Sequence, residues 1–163
     1  FGGKDGLRRA VVAEVARRLM AAAGAPQSTE GLTPAAALMR LQTIVRGMAV
    51  FIGSAPEAEP VVNFALSELA RGGPMTDLIY DSFIGPKHAE LSQLWAIASG
   101  GDPESENVKL SVFAMVGQVI YFRLGREIVT RKMGWPTIGP DEAQKIGEVI
   151  AGNLRLLTQG TSR

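Results

Sequence analysis

Apolar residues recur along this chain at spacings of three and four, and nearly every such stripe ends at a glycine or a proline. Residues three and four apart share a helix face, whereas strand faces alternate with a period of two. No convincing alternating stretch interrupts the pattern, so the sequence predicts an all-α fold of about seven helices in one domain. At 163 residues the chain is long enough for one well-packed domain and short for two.

The stripes place the helices. Leu7, Val11, Val12, Val15 and Leu19 share one face of a first helix that ends at Gly24-Ala25-Pro26. Thr33-Pro34 opens a second: threonine can cap free N–H groups, and proline at the first helical position gives up a donor that had no partner there. Leu38, Leu41, Val45, Met48 and Ile52 are its expected inward residues. A third helix, 57–71, turns Val61, Val62, Ala65, Leu66 and Leu69 inward. A short helix over 75–83 follows, and Gly85-Pro86 restarts the chain into a stripe of Leu91, Leu94, Trp95 and Ala98. From Asp102-Pro103-Glu104 to Gly134 a single long helix is expected, apolar on nearly every side between 108 and 129 and therefore buried on more than one face. Pro140-Asp141-Glu142 opens the last helix. The loop 27–31 looks the most mobile internal stretch.

Composition excludes several classes. The net charge of +1 gives no global electrostatic reason to bind nucleic acid, whose readers normally carry a concentrated basic surface. With no cysteine, disulfides and thiolate metal sites are impossible, and a cytoplasmic location fits. The longest apolar stretch, 34–52, is broken by Arg40, Gln42 and Arg46, so no membrane association is expected. The chain opens at Phe1 without methionine and reads as a fragment.

Catalytic chemistry finds little support. The single histidine, His88, has Glu90 two positions away, on another side of a helix, and reads as an ordinary, partly exposed residue of a first helical turn rather than a metal ligand. No Gly-x-Ser-x-Gly, Gly-x-Gly-x-x-Gly or Walker A pattern occurs. No enzymatic activity, cofactor or metal is expected.

Binding remains open. Met48, Phe51, Phe64, Phe83, Trp95, Tyr121 and Phe122 suit an adaptable pocket for a small apolar or amphipathic effector, and they suit a plain core as well. Gln118 stands inside Val116-Gly117-Gln118-Val119-Ile120, and a buried amide there must either orient a ligand or bond a neighbouring helix's backbone. For a homodimer, the long helix and the last helix are the expected interface, through Val119, Ile146, Val149, Ile150, Asn153, Leu154 and Leu157. Two such pairs about a two-fold axis make a four-helix bundle; the other reading packs both helices within one subunit.

Phe1-Gly2-Gly3-Lys4-Asp5-Gly6-Leu7 resembles the junction that ends the helix-turn-helix domain of TetR-family regulators. The remainder resembles the C-terminal domain of the CerR/CecR-like branch. The resemblance rests on Ser67-Glu68-Leu69 with Pro74 and Thr76, Ile84-Gly85-Pro86, Gly117-Gln118 with Phe122 and Arg126, and Arg131-Lys132-Met133-Gly134-Trp135. Ala70-Arg71-Gly72-Gly73 departs from it, where the family usually carries a charged residue and methionine before the proline. The resemblance implies residues 1–6 as a remnant of the helix-turn-helix domain and its junction, and 7–163 as a ligand-binding and dimerisation domain. It further implies a ligand-responsive transcriptional regulator, usually a repressor, whose dimers bind operator DNA through the missing N-terminal domain. Lys4 matches the position that touches DNA phosphate. The rival expectation is a homodimeric protein-interaction module with no small effector.

Overall fold

In the computed structural model, residues 3–160 are described, and every element among them is helical. The helices are α1 (Gly3–Ala23), α2 (Pro34–Ser54), α3 (Glu59–Arg71), α4 (Pro74–Ile79), α5 (Gly85–Ser99), α6 (Glu106–Leu124), α7 (Arg126–Met133) and α8 (Pro140–Gly160). A 3₁₀ turn (Pro56–Ala58) precedes α3, and a π turn (Tyr80–Ile84) lies between α4 and α5. The all-α expectation holds. The backbone contacts, however, divide into two units: residues 1–26 with 56–87, and 27–55 with 88–163.

In the first unit α1 packs on α3, α4 and the π turn. Val12, Met75 and Ile79 are its buried centre, with Phe64, Leu69, Leu78 and Ile84 packed around them. The inward stripe of α1 is Val12, Val15, Ala16 and Leu19, whereas Leu7 and Val11, expected inside, are exposed. On α3 the buried set includes Glu68, a residue that apolar periodicity passes over. Its carboxylate accepts from Arg8 at 2.6 Å and from Arg71 at 2.9 Å, while its backbone carbonyl accepts from the Thr76 hydroxyl. One buried acid thus ties α1, α3 and the start of α4 together.

Gly85-Pro86 does not restart the chain as expected. Gly85 keeps right-handed helical angles, and its N–H reaches back five residues to the Tyr80 carbonyl. Proline within a helix removes one hydrogen bond and presses its ring on the preceding turn; a π turn widens the coil there and lets it continue.

The second unit is built on α2 against α8, with α6 packed beside both. Thr33 caps α2 as expected, accepting from the Ala36 N–H. Ala37, Leu41, Val45 and Ala49 of α2 meet Ala143, Ile146, Ile150 and Leu154 of α8 in one core with Leu94, Trp95, Val112, Met115 and Val119. Alanine and glycine let the axes approach closely: a Cβ on Gly147 would stand 3.2 Å from the Arg46 Cα and 3.3 Å from the Ala49 Cβ. Arg46 pairs with Glu148, and the Gln42 amide donates to the Ala151 carbonyl along the same seam. By length and composition α2 could cross a membrane. In this fold its apolar face is spent on the core, and Arg40 forms an ion pair with the buried Glu90. Loop 27–31 is tied down by Gln27 N–H to Glu90, Arg40 to the Ser28 carbonyl, and Thr29 to Gln93.

The expected long helix is two. Ser105 caps α6, accepting from Val108 N–H, so the helix starts after Asp102-Pro103-Glu104 rather than in it. At Gly125 the axis bends by 76° into α7. Gly125 is buried with its would-be Cβ 3.1 Å from the Tyr121 carbonyl, and the next residue, Arg126, donates to the carbonyls of Gly53 and Ile138. Those bonds hold α7 to the end of α2 and to the loop before α8. Gly134 closes α7 in the left-handed conformation; its N–H and that of Trp135 both return to the Thr130 carbonyl.

Candidate functional site

Within the second unit a cavity of about 410 Å³ opens where α5 ends, the chain turns through Gly100-Gly101, and α6 begins. Trp95 and Val108 supply apolar wall, with Ala114 of α6 and Leu157 of α8. Ser99, Ser105 and Ser111 bring three hydroxyls, and Asn107 and Gln118 two amides. Among the described residues, none that lines it carries a formal charge.

The hydrogen bonds of these groups fix what they offer. Ser99 donates to the Trp95 carbonyl at 2.9 Å and Ser111 to the Asn107 carbonyl at 2.8 Å, each one helical turn back. Ser105 donates to the Asp102 carbonyl and accepts from Val108 N–H. Gln118 accepts from the Asn153 amide at 3.2 Å, a bond that joins α6 to α8 and leaves the Gln118 amide hydrogens free to donate. Gln118 thus bonds a side chain of the neighbouring helix, where that helix's backbone was the expected partner, and it lines the cavity.

Of the eight residues expected to bind ligand, Trp95 and Gln118 line this cavity. Met48 and Phe122 pack against the second unit's core, and Phe51 is half-buried on α2. Tyr121 is exposed on α6, edge-on to Phe122. Phe64 packs in the core of the first unit, and Phe83 is half-buried in its π turn. Aromatic content does not separate cavity wall from core. The serines of the cavity were missed, because helical serines that bond their own backbone leave no pattern in a sequence.

The residues expected at a dimer interface divide in the same way. Val119, Ile146, Ile150 and Leu154 are buried in the second unit's own core. Their periodicity was sound, and the partner it calls for lies in the same chain. Val149, Asn153 and Leu157 stay exposed, and Leu156 joins them. Beside them α6 turns Leu110, Phe113, Tyr121 and Leu124 outward, with the exposed Ala114 and Gly117 between. One wide apolar face therefore runs along α6 and α8 on the side away from their shared core.

His88 donates from Nε2 to the Lys109 carbonyl, its Nδ1 bonds the Ser92 hydroxyl, and its ring lies 4.2 Å from that of Phe113. No group of three potential metal ligands occurs among the described residues. Lys4 is exposed in the first turn of α1; Phe1 and Gly2 of the expected junction lie outside the described residues, as do 161–163.

Residues 37–161 match the family model of the HTH-type transcriptional dual regulator CecR, C-terminal domain. The chain belongs to this family. A curated relative, the HTH-type transcriptional dual regulator CecR of Shigella flexneri, is 28% identical over 86 residues, which are 53% of this chain and 39% of that protein. The match thus spans well under half the length of that CecR relative. The cavity and the outward face of α6 and α8 both lie inside the CecR-matched span, whereas α1 lies outside it. Arg126 and Gly134, which the sequence resemblance singled out, hold the α6–α7 bend and end α7 in this CecR-type domain.

Proposed function

We propose that this chain is the effector-binding and dimerisation domain of a ligand-responsive transcriptional regulator that acts as a repressor in the cytoplasm. Operator DNA would be read by a helix-turn-helix domain preceding α1, with Lys4, at the start of α1, resting on a phosphate. Membership of the CecR C-terminal family supports the regulatory role. The observation that carries the assembly is the outward face of α6 and α8, where Leu124 and Leu156 are 71% and 72% exposed. An apolar stripe of this extent on two adjacent helices suits a self-complementary contact about a two-fold axis. This revises the interface to Leu110, Phe113, Tyr121, Leu124, Val149, Asn153, Leu156 and Leu157.

Regulation then follows from unequal affinity. An effector acts only if it binds the DNA-incompetent arrangement more tightly than the competent one; complete switching between 1:99 and 99:1 takes a difference of roughly 10⁴-fold. The test joins two measurements on the full-length regulator: operator binding against effector concentration, and thermal melting with the same compounds. A true effector raises the melting temperature with concentration and releases operator over the same range. Operator binding that no stabilising compound alters would refute the ligand-responsive part and favour a dimeric protein-interaction module.

A further inference from the structure

We propose that the cavity at the α5–α6 turn binds a neutral, hydroxyl-rich ligand of monosaccharide size, in place of the apolar effector the aromatic content suggests. The inference deepens the effector reading and rests on it only in taking this cavity as the ligand site. Its volume, about 410 Å³, falls within the range of small-molecule sites.

Three properties of the wall select the ligand. The first is charge: among the described residues no lysine, arginine, histidine, aspartate or glutamate lines the cavity, so a phosphate or carboxylate would lose its hydration without gaining a counter-ion from them. The second is the sense of the hydrogen bonds. Ser99 and Ser111 already give their protons to backbone carbonyls and present lone pairs, so they ask for donors. The Gln118 amide, its oxygen engaged by Asn153, presents donors, and Asn107 offers both. A wall that offers both acceptors and donors suits vicinal hydroxyls, each of which gives one hydrogen bond and takes others. A long aliphatic ligand would cover the remaining lone pairs of the serines and the Gln118 amide hydrogens without bonding them, and so would lose the hydrogen bonds that water makes there.

The third property is the apolar part. Trp95, Val108, Ala114 and Leu157 supply carbon surface beside the polar groups. A pyranose has the matching character, with C–H groups across one face and hydroxyls around its edge.

The probes are methyl α-D-glucopyranoside, methyl β-D-galactopyranoside, methyl α-D-mannopyranoside and myo-inositol, each titrated into this chain and followed by backbone amide NMR. Glucose 6-phosphate and decanoate serve as anionic and aliphatic comparisons. At least one neutral probe is expected to saturate, with shifts centred on Ser99, Gly101, Ser111 and Gln118, and to bind more tightly than either comparison. Ser111→Leu should weaken it roughly tenfold, the worth of about one hydrogen bond. If Ser111→Leu fails to fold, Gly101→Ala tests the same wall, since its Cβ would enter at 3.3 Å from Val108 and 3.4 Å from Ser99. Three outcomes overturn the proposal: no neutral probe saturates, an anionic or aliphatic probe binds more tightly, or the folded variants bind as the parent does. Each leaves the effector reading standing, because operator release by some other compound is measured separately. Glycoside binding without operator release would sink the effector reading and keep the cavity assignment.

Discussion

Arg8 of α1 closes a 2.6 Å ion pair with Glu68 of α3, a carboxylate with 1% of its side chain exposed. Arg71 completes the cluster from the following turn at 2.9 Å. The two sides are unequal: the arginine side chains are 42% and 63% exposed, so either can return to water, whereas the carboxylate cannot. Removing the acid and removing its partners should therefore differ. Arg8→Met with Arg71→Met strands a buried charge and is expected to cost about 3–5 kcal/mol. Glu68→Leu should cost clearly less, because two solvated guanidiniums remain in place of one buried carboxylate. Urea unfolding of both variants checks the order, and equal losses would show that packing around Glu68 outweighs its charge.

Gly147 sets how closely α8 lies on α2. A methyl group there meets the Arg46 Cα at 3.2 Å, a backbone atom that cannot rotate away. Gly147→Val is expected to destabilise by about 1–3 kcal/mol through overpacking. Gly152, with open space at its Cβ position, supplies the control on the same helix. Gly152→Ala should stabilise slightly, since alanine is the better helix former. Melting temperatures that move in opposite directions would bear out the close crossing.

Helix positions were legible because capping and punctuation are local: the Thr33 cap on α2 and the Pro140 start of α8 need only neighbouring residues. Partners are not local. Ile146, Ile150 and Leu154 announce an apolar face on α8, but periodicity alone cannot say whether a second copy or α2 covers it. Gly125 was hidden for a related reason. Its bend depends on Arg126 reaching Gly53 and Ile138, contacts that only the folded chain creates. The cavity was half legible: Trp95 and Gln118 stood out by residue type, while Ser99 and Ser111 look like ordinary helical serines until their positions are known. Glu68 escaped because its two cations lie 60 positions before it and three after.

Arg126 offers a direct test of the bend. It donates to Gly53 at 3.1 Å and to Ile138 at 2.8 Å, joining three segments through one guanidinium. Arg126→Met keeps the aliphatic stem and deletes both charge-assisted bonds, at an expected cost of about 2–4 kcal/mol. Arg126→Lys should recover only part of it, because both bonds leave one Nη2 held in the guanidinium plane, and a more strongly hydrated, freely rotating ammonium replaces it poorly. Hydrogen exchange should quicken in α7 and in residues 134–139. Protection unchanged there would mean that the bend is held by packing alone.

On α1, Glu14 accepts from Arg17 and Arg18, and these bonds lower its carboxyl from the ordinary 4.5 to about 2. A depressed acid stabilises the fold above its unfolded value, and that contribution disappears as pH falls from 4.5 through about 2. Glu14→Gln should therefore lie closest to the parent in stability near pH 2 and fall behind it above pH 4.5. The group is exposed, so the gap should be small and should shrink in high salt. A carboxyl titration by NMR with an ordinary midpoint would remove the basis for this window.

The outward face of α6 and α8 yields the sharpest prediction about assembly. Leu124 and Leu156 are largely exposed, so a charge at either costs the fold little while it penalises an apolar contact between copies. Leu124→Glu with Leu156→Glu should convert a dimer to a monomer in sedimentation at tens of micromolar, with melting measured on the monomer nearly unchanged. Ile150→Glu, fully inside α8's own packing, should instead unfold the second unit. This contrast separates an interface from a core on the same helix. If the parent chain sediments as a monomer, or the double variant remains a dimer, copies of this chain do not meet through this face.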